Sequence, residues 1–304
     1  MHLFLGFALA ATLLLAQEIT TYSSSSGRVV TESRTKSSLQ RTELTQSING
    51  RQVPLEQIEE RLLKEDAAGR TVERIVHRFD PNGKPSPPEK TVIEEQKRPD
   101  GATIRSSTYR SDLNGNLQLS ERSVTETRKS ASGLSSEIAV ERPTPNGGLE
   151  TVEKTTVVQA GTPENYQESA TTLRKGASGF YPALKVVTNH TGKAGQTTEN
   201  SAQYEVGSSG SLELHSQTVL RVEKRPDGSE SREQDVFDKS VPGTIDAPGA
   251  KLRLKEREYV ERRPGSGGSV TETVSVRRPS VSDPNVLGPP RIVSETVCRG
   301  NCKP

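Results

Sequence analysis

The chain has 304 residues, of which 30% are hydrophobic and 4% are aromatic, and it contains no Trp. A globular domain usually devotes roughly 45–50% of its residues to apolar types, so this composition disfavours a thick hydrophobic core. The 41 basic and 39 acidic residues nearly cancel. The chain therefore lacks the high net charge of many disordered proteins. It also lacks the excess of basic residues that is typical of nucleic-acid-binding proteins.

The N-terminal residues 1–16 form an apolar segment that is followed at once by polar Gln17. The segment is shorter than the roughly 20 residues that a membrane-spanning helix needs, and its length and position favour a secretory signal peptide cleaved near Ala16. A buried N-terminal strand is the alternative interpretation. The signal peptide predicts a mature protein that is secreted, periplasmic or at the cell surface, with no membrane span. Residues 17–27 then read as a Ser-rich linker.

Residues 28–277 read as a β-hairpin repeat domain. Extended runs such as Thr91–Lys97 and Ala102–Asp112 are rich in Thr, Val and charged residues, and they are separated by Asp-Gly or Asn-Gly turns, which are strong hairpin signals. The strings Lys97–Gly101 and Lys224–Gly228 are identical, which indicates a repeat architecture. We therefore predict an all-β fold, a long antiparallel meander of repeated hairpins in a twisted single-layer or thinly layered sheet. Such a sheet would expose two faces and two edges.

Two segments are harder to assign. Leu55–Glu65 has apolar residues at helical spacing, but the flanking turns keep the rhythm of the meander, so a strand is slightly favoured over a helix. Residues 278–304 read as a Pro-rich tail with a short strand and a C-x3-C motif. Cys298 and Cys302 could form a local disulfide in an oxidising compartment, or remain unpaired, or pair between chains.

The sequence offers no constellation for cofactor or metal chemistry. Asp112, Asn114 and Asn116 alternate as early calcium ligands do, but the glycine comes too early and no bidentate Glu follows, so hairpin chemistry explains them better. The glycine-rich stretch 265–269 precedes a β-run rather than a helix, which disfavours a phosphate loop. The scattered His residues do not have ligand spacing. We expect no cofactor and no bound metal.

Enzyme activity is not expected, because the sequence contains no pairing of a nucleophile with a base. An outer-membrane barrel would also combine a signal peptide with a meander, but Thr151–Val158 carries charge on both strand faces, which disfavours it. Phe180, Tyr181 and Leu184 are the candidate patch for contact with a partner, at the densest aromatic point of the chain, Phe180-Tyr181-Pro182. A packed hairpin end is the alternative interpretation and is favoured over a binding site. Asn189 begins an N-glycosylation sequon, which has meaning only in a eukaryotic secretory pathway.

These patterns predict a secreted or cell-surface, non-catalytic β-repeat protein with a structural, scaffold or adhesive role. Self-association through sheet edges, or contact with an envelope or extracellular protein, would fit that role, whereas a nucleic-acid partner would not. The alternative is an extracellular binding module that presents an open sheet face or edge to a protein or peptide.

Overall fold

The computed structural model describes residues 17–24, 28–35, 39–48, 50–130, 133–207, 209–239, 251–280, 286–300 and 302. The predicted signal peptide, residues 1–16, lies outside the described residues.

The described chain folds as β-strands with one short 3-10 helix, Ser266–Gly268. Thr, Val and Ile are frequent in the strands, as expected of residues that fit a pleated, half-exposed surface. In chain order the strands are β1 Gln17–Ser24, β2 Arg28–Thr35, β3 Leu39–Ile48, β4 Arg51–Asp66, β5 Gly69–Arg78, β6 Glu89–Arg98, β7 Gly101–Ser111, β8 Leu117–Ser130, β9 Gly133–Pro143, β10 Leu149–Gly161, β11 Asn165–Gly176, β12 Gly179–Lys193, β13 Gln196–Val206, β14 Leu212–Lys224, β15 Glu230–Asp238, β16 Arg253–Pro264, β17 Val270–Arg277 and β18 Arg291–Gly300.

All of these strands belong to one antiparallel sheet in which each strand pairs with the next one along the chain. The predicted meander of hairpins is confirmed. In addition, Thr20–Ser24 of β1 pair with Thr296–Gly300 of β18, so that the sheet closes on itself. The expectation of two free sheet edges is therefore wrong along this pairing, because the first and last strands hydrogen-bond to each other. We call the β1–β18 pairing the seam.

For three segments, the structure corrects or decides the secondary structure that the sequence predicted. Residues 17–24, interpreted from composition as part of a linker, form β1. The strand in the Pro-rich tail, β18, is an integral member of the sheet, because it pairs with β17 on one side and β1 on the other. Leu55–Glu65 lies within β4 and is a strand, as the rhythm of the turns favoured.

Glycines at the two rims of the closed sheet reveal a 32-residue period. At one rim, Gly83, Gly115 and Gly147 have φ values of 80°, 82° and 82°, a conformation that glycine adopts without steric cost. Each lies 32 residues after the previous one, and each donates its N–H to the carbonyl three residues earlier. The identical strings Lys97–Gly101 and Lys224–Gly228 indicate a repeat but do not give this period, because they lie 127 residues apart.

At the opposite rim, the glycines that begin β5, β7 and β9 follow the same period and allow a close backbone approach. A Cβ atom on Gly69 would lie 1.9 Å from the carbonyl oxygen of Glu95, and one on Gly101 would lie 1.9 Å from that of Thr127. Neighbouring hydrogen bonds join the same turns to the next hairpin, with Lys97 N–H donating to the Ala68 carbonyl at 2.7 Å. Only glycine fits at such a position without displacing backbone.

The sheet has very little buried core. Among the described residues, Val76 and Cys298 are the only hydrophobic residues that are buried. Both faces of the sheet are therefore largely accessible to solvent, and the backbone ladder with its cross-strand side-chain pairs must hold the fold together.

Side chains alternate between the two faces, and one face is enriched in aliphatic and hydroxyl residues. We call it face 1 and the opposite one face 2. Cross-strand hydroxyl pairs such as Thr155 and Thr172, whose Oγ1 atoms are 2.9 Å apart, recur on face 1 at successive hairpins. Each such pair contributes roughly 0.2–1 kcal/mol. One continuous face 1 row consists of Ile104, Thr125, Ile138, Thr155, Thr172 and Leu184.

Candidate functional site

The most buried polar group of the described chain is a carboxylate on face 2. Asp235, in the middle of β15, is 3% exposed. Its register partners are Val219 on β14 and Arg257 on β16. Because opposite residues of antiparallel strands point to the same face, this register brings the Arg257 side chain beside the carboxylate.

Two arginines and a second carboxylate complete an ionic network around Asp235. Arg257 donates from Nε to Oδ1 of Asp235 at 2.5 Å and from Nη2 to Oδ2 at 2.8 Å, a bidentate geometry. Arg221, on β14, donates from Nη1 to Oδ2 of Asp235 at 3.2 Å and to Oε1 of Glu233 at 2.8 Å. The network therefore joins three adjacent strands through side chains.

The network holds Asp235 in its ionised form. Burial of the carboxyl acts to raise its pKa, but hydrogen bonds from Arg257 and Arg221 and the positive charge of both groups outweigh it, so the pKa lies below the usual 3.8. The hydrogen bond to Asp235 correspondingly raises the pKa of Arg257. Two positive and two negative side chains leave the network electrically balanced.

This arrangement is suited to holding strands together rather than to proton transfer. A general base needs a pKa near the operating pH and a free lone pair directed at the substrate, whereas the pKa of Asp235 is lowered and both its oxygens accept hydrogen bonds from arginine. A shallow cleft of about 370 Å³ lies beside the network and is lined in part by Thr198, Glu223 and Tyr259.

Sequence reasoning missed this network. Charges alternate in sign along many of the strands, which is typical of solvated cross-strand pairs, and most ion pairs of the sheet fit that description. Arg105 and Glu94, for example, pair across β7 and β6 with their charged atoms 3.6 Å apart, and both side chains are half or more exposed. A signal was present, because Glu233 and Asp235 stand two positions apart in β15 and therefore on the same face of the strand. Only the register, however, shows that arginines from both neighbouring strands converge on it.

The two cysteines form a disulfide at the end of β18. Cys298 is bonded to Cys302, with the two Cα atoms 6.0 Å apart. Cys298 is buried and lies between Tyr22 of β1 and Val270 of β17 in the register of the sheet. The disulfide therefore closes a short loop that begins at the β1–β18 pairing.

The predicted partner-contact residues do not lie on one surface. Tyr181 and Leu184 pair with Arg174 and Thr172, which lie on face 1. Phe180 lies on face 2, where the Lys154 ammonium sits 4.8 Å above its ring centroid. Phe180 and Tyr181 are both exposed, at 38% and 48%, but the sheet separates them.

The alternating Asp112, Asn114 and Asn116 build a turn. Oδ1 of Asp112 accepts hydrogen bonds from the backbone N–H groups of Asn114 at 2.8 Å and Asn116 at 2.9 Å. The bond from Asn116 is the main reason that the pKa of Asp112 lies below its usual value. The carboxylate thus stabilises the turn, as the hairpin interpretation of these residues implies. Within the part of the chain that the structure describes, no cluster of three or more His, Cys, Asp or Glu residues is arranged to hold a metal ion.

One histidine has an unusual environment. The His190 ring stacks on Tyr166 with centroids 4.7 Å apart, and its Nδ1 lies 3.7 Å from a carboxylate oxygen of Glu199. This nitrogen is buried and has no hydrogen-bond partner among the described residues. Burial also raises the pKa of the Tyr166 hydroxyl. In the sequence, the histidines have no ligand spacing, and nothing there distinguishes His190 from the others.

Comparison with known proteins adds no family assignment. No family model matches the sequence, and no curated protein matches it at a significant level of similarity. Among the described elements there is no helix long and apolar enough to cross a membrane.

Proposed function

We propose that this chain is an exported, non-catalytic β-repeat protein with a structural role, as a scaffold, spacer or adhesive component of the cell surface. The observation that supports this most is the closed succession of hairpins, in which each strand pairs with a neighbouring strand on both sides over at least part of its length. Such a ladder distributes stability along the whole sheet instead of concentrating it in a core. It leaves long polar faces for contact with the surroundings.

Side chains reinforce the ladder in the way that a structural role requires. Ion pairs such as Arg122 with Glu141 and Arg174 with Glu153 bridge neighbouring strands. The most buried carboxylate, Asp235, is committed to two arginines from adjacent strands. The apolar segment 1–16 and the disulfide between Cys298 and Cys302 support export, because disulfides persist in oxidising compartments.

Export is tested by expressing the full chain with a C-terminal tag and determining the mature N-terminus by mass spectrometry. We expect a product that begins at Gln17 and is found outside the cytoplasm. A control with Leu13→Arg and Leu14→Arg, which interrupts the apolar segment, should retain Met1 and remain in the cytoplasm. An uncleaved, cytoplasmic wild-type chain would contradict export.

The structural role is tested by fractionating the expressing cells and by assaying the purified protein for hydrolysis. We expect the wild-type chain to sediment with the envelope fraction. We expect the purified protein to show no turnover of ester, glycoside, phosphate or peptide substrates. Hydrolysis that is lost in Asp235→Asn or Glu199→Gln would contradict the non-catalytic role. A chain found entirely in the soluble fraction at every concentration would contradict the scaffold role.

A further inference from the structure

Among the described strands, one stretch of the closed sheet has a strand neighbour on only one side. Residues Arg291–Glu295, the first half of β18, pair with β17. The second half, Thr296–Gly300, pairs with β1 on the other side, and its first three residues also pair with β17. Because β1 ends at Ser24, opposite Thr296, no strand of the described chain pairs with the outer side of Arg291–Glu295. We call this stretch the β18 edge.

The β18 edge is long enough to receive another strand. Five residues of extended chain span about 17 Å, and alternate backbone N–H and C=O groups along that length point away from β17. Exposed strand edges usually carry Lys, Pro or inward-pointing charges that prevent such pairing. A bulge at Val293, which places Ile292 and Val293 opposite Ser275, limits the edge to a short partner strand.

Two adjacent side chains of the β18 edge are apolar and strongly exposed. Ile292 is 69% exposed and Val293 is 58% exposed. Beside them is a cleft of about 430 Å³, whose lining includes Val276 and Pro289. Apolar residues that are exposed together at an unpaired edge are typical of a surface that is covered when a partner binds.

The charge at this position indicates what the partner carries. Arg291 begins the edge, lines the cleft and is exposed, and it has no ion-pair partner among the described residues. The nearby Arg278 is already paired with Glu256, with Nε and Oε2 2.8 Å apart. Glu295, at the other end of the edge, is also exposed, but its register partner Thr273 places it on the opposite face of the sheet from Arg291, whose register partner is Val276. A carboxylate of the partner on the Arg291 face would therefore pair with Arg291.

We propose that the β18 edge binds an extended peptide segment of another protein by strand addition, and that the segment alternates β-branched apolar residues with an acidic residue. Backbone hydrogen bonds to Arg291–Glu295 supply affinity, contact with Ile292 and Val293 selects apolar side chains, and Arg291 selects the carboxylate. This inference goes beyond the scaffold role and does not rest on it, because either could hold without the other.

The test uses the full chain and a fluorescein-labelled peptide with the sequence Glu-Val-Thr-Val-Glu-Val-Thr, followed by fluorescence anisotropy. We expect saturable binding to the wild type and at least about tenfold weaker binding to Arg291→Glu, because a like charge then faces the peptide carboxylate. Val293→Pro should abolish binding, since proline lacks an N–H and cannot complete a ladder. Val293→Thr keeps a β-branched residue and should bind about as well as the wild type.

Matched controls separate the edge from general effects of charge and folding. Arg299→Glu makes the same charge change in the half of β18 that pairs with β1. Val158→Thr alters a valine that is 50% exposed on β10, a strand with neighbours on both sides. Both should bind the peptide like the wild type. Hydrogen exchange should show slower exchange of the 291–295 amides on peptide binding.

Three results would overturn the proposal. One is equal binding of the peptide by the wild type, Arg291→Glu and Val293→Pro. Another is equal or tighter binding of a peptide in which both Glu residues are replaced by Lys. The third is a concentration-dependent dimer that excludes the peptide and is lost in Val293→Pro, because a second copy of this chain would then occupy the edge.

Discussion

Two regions of the sheet hold their strands together in different ways. One is the repeat region, from β5 to β10, and the other is the seam between β1 and β18. In the repeat region, the β9–β10 register runs from Leu149 to Ala160. At the seam, the β1–β18 register covers only Thr20 to Ser24. Periodic glycines bring hairpin ends into backbone contact in the repeat region, whereas a disulfide encloses the chain at the seam.

The difference teaches that a fold with almost no core can be stabilised by two unlike means. Where neighbouring strands are close in sequence, a repeated turn is sufficient to hold them in register, because each hairpin forms locally and positions the next one. Where the first and last strands meet, closing a very long loop costs conformational entropy. We therefore expect the repeat region to tolerate few changes at its rim glycines, and the seam to be the first part of the sheet to open.

The largest effect is expected at a rim glycine of the repeat region. In Gly101→Ala, the new Cβ would lie 1.9 Å from the Thr127 carbonyl oxygen, so backbone must move. We expect a loss of about 3 kcal/mol in the free energy of unfolding, measured by urea denaturation. Gly148→Ala is the matched control, because its Cβ would meet only Thr144 Oγ1 at 3.6 Å. Equal midpoints for the two variants would contradict the role of close approach.

The next effect is expected at the ionic network of β14 to β16. Asp235→Asn removes the charge that two arginines share, and we expect a loss of about 2 kcal/mol in the free energy of unfolding. Glu126→Gln is the control, because it breaks an exposed pair with Arg128 and should cost less than about 0.5 kcal/mol. If both variants were equally stable, the network would be no more important than the exposed pairs.

The contribution of Asp235 should also depend on pH. Its pKa in the folded chain lies below the usual 3.8. The stabilisation is therefore complete above that usual value and is lost as the pH falls through the folded-state pKa. We expect the stability difference between wild type and Asp235→Asn to stay constant between pH 7 and about pH 5 and to shrink below about pH 4. A difference that grows on acidification would reverse the assigned sign.

The smallest effect is expected at the seam. Cys302→Ser opens the short loop closed by the disulfide, and the entropy model for such a loop gives a loss of about 1–2 kcal/mol. Hydrogen exchange should become faster for amides of β1 and β18 and remain unchanged from β5 to β10. Reducing agent should reproduce the effect in the wild type and have none in Cys302→Ser. Faster exchange across the repeat region would show that the seam and the repeats open together.

The sequence predicted the local features of this fold well. Asp-Gly and Asn-Gly dipeptides lie at the turns between paired strands, as at Asp100-Gly101 between β6 and β7 and at Asn114-Gly115 between β7 and β8. Turn chemistry depends on a few adjacent residues, so it can be read from one sequence. The strand at Leu55–Glu65 was harder, because its apolar spacing fits a helix, and only pairing with β3 and β5 determines its conformation.

Features that depend on distant parts of the chain could not be predicted in this way. The pairing of Thr20–Ser24 with Thr296–Gly300 joins residues from opposite ends of the sequence, and neither segment has a pattern that identifies the other. The convergence of Arg221 and Arg257 on Asp235 depends on the register of three strands. The separation of Phe180 from Tyr181 follows from the alternation of side chains and could have been anticipated.

The closure of the sheet restricts how a protein of this kind can change in length. Because every neighbouring pair is antiparallel, including β1 with β18, a closed circuit requires an even number of strands. Gain or loss of a single strand would leave the two chain ends running in the same direction and unable to form their present pairing. Duplication of one 32-residue unit adds two strands and about 10 Å to the circumference while preserving that pairing. Variation in length among descendants of this sequence should therefore come in whole hairpins.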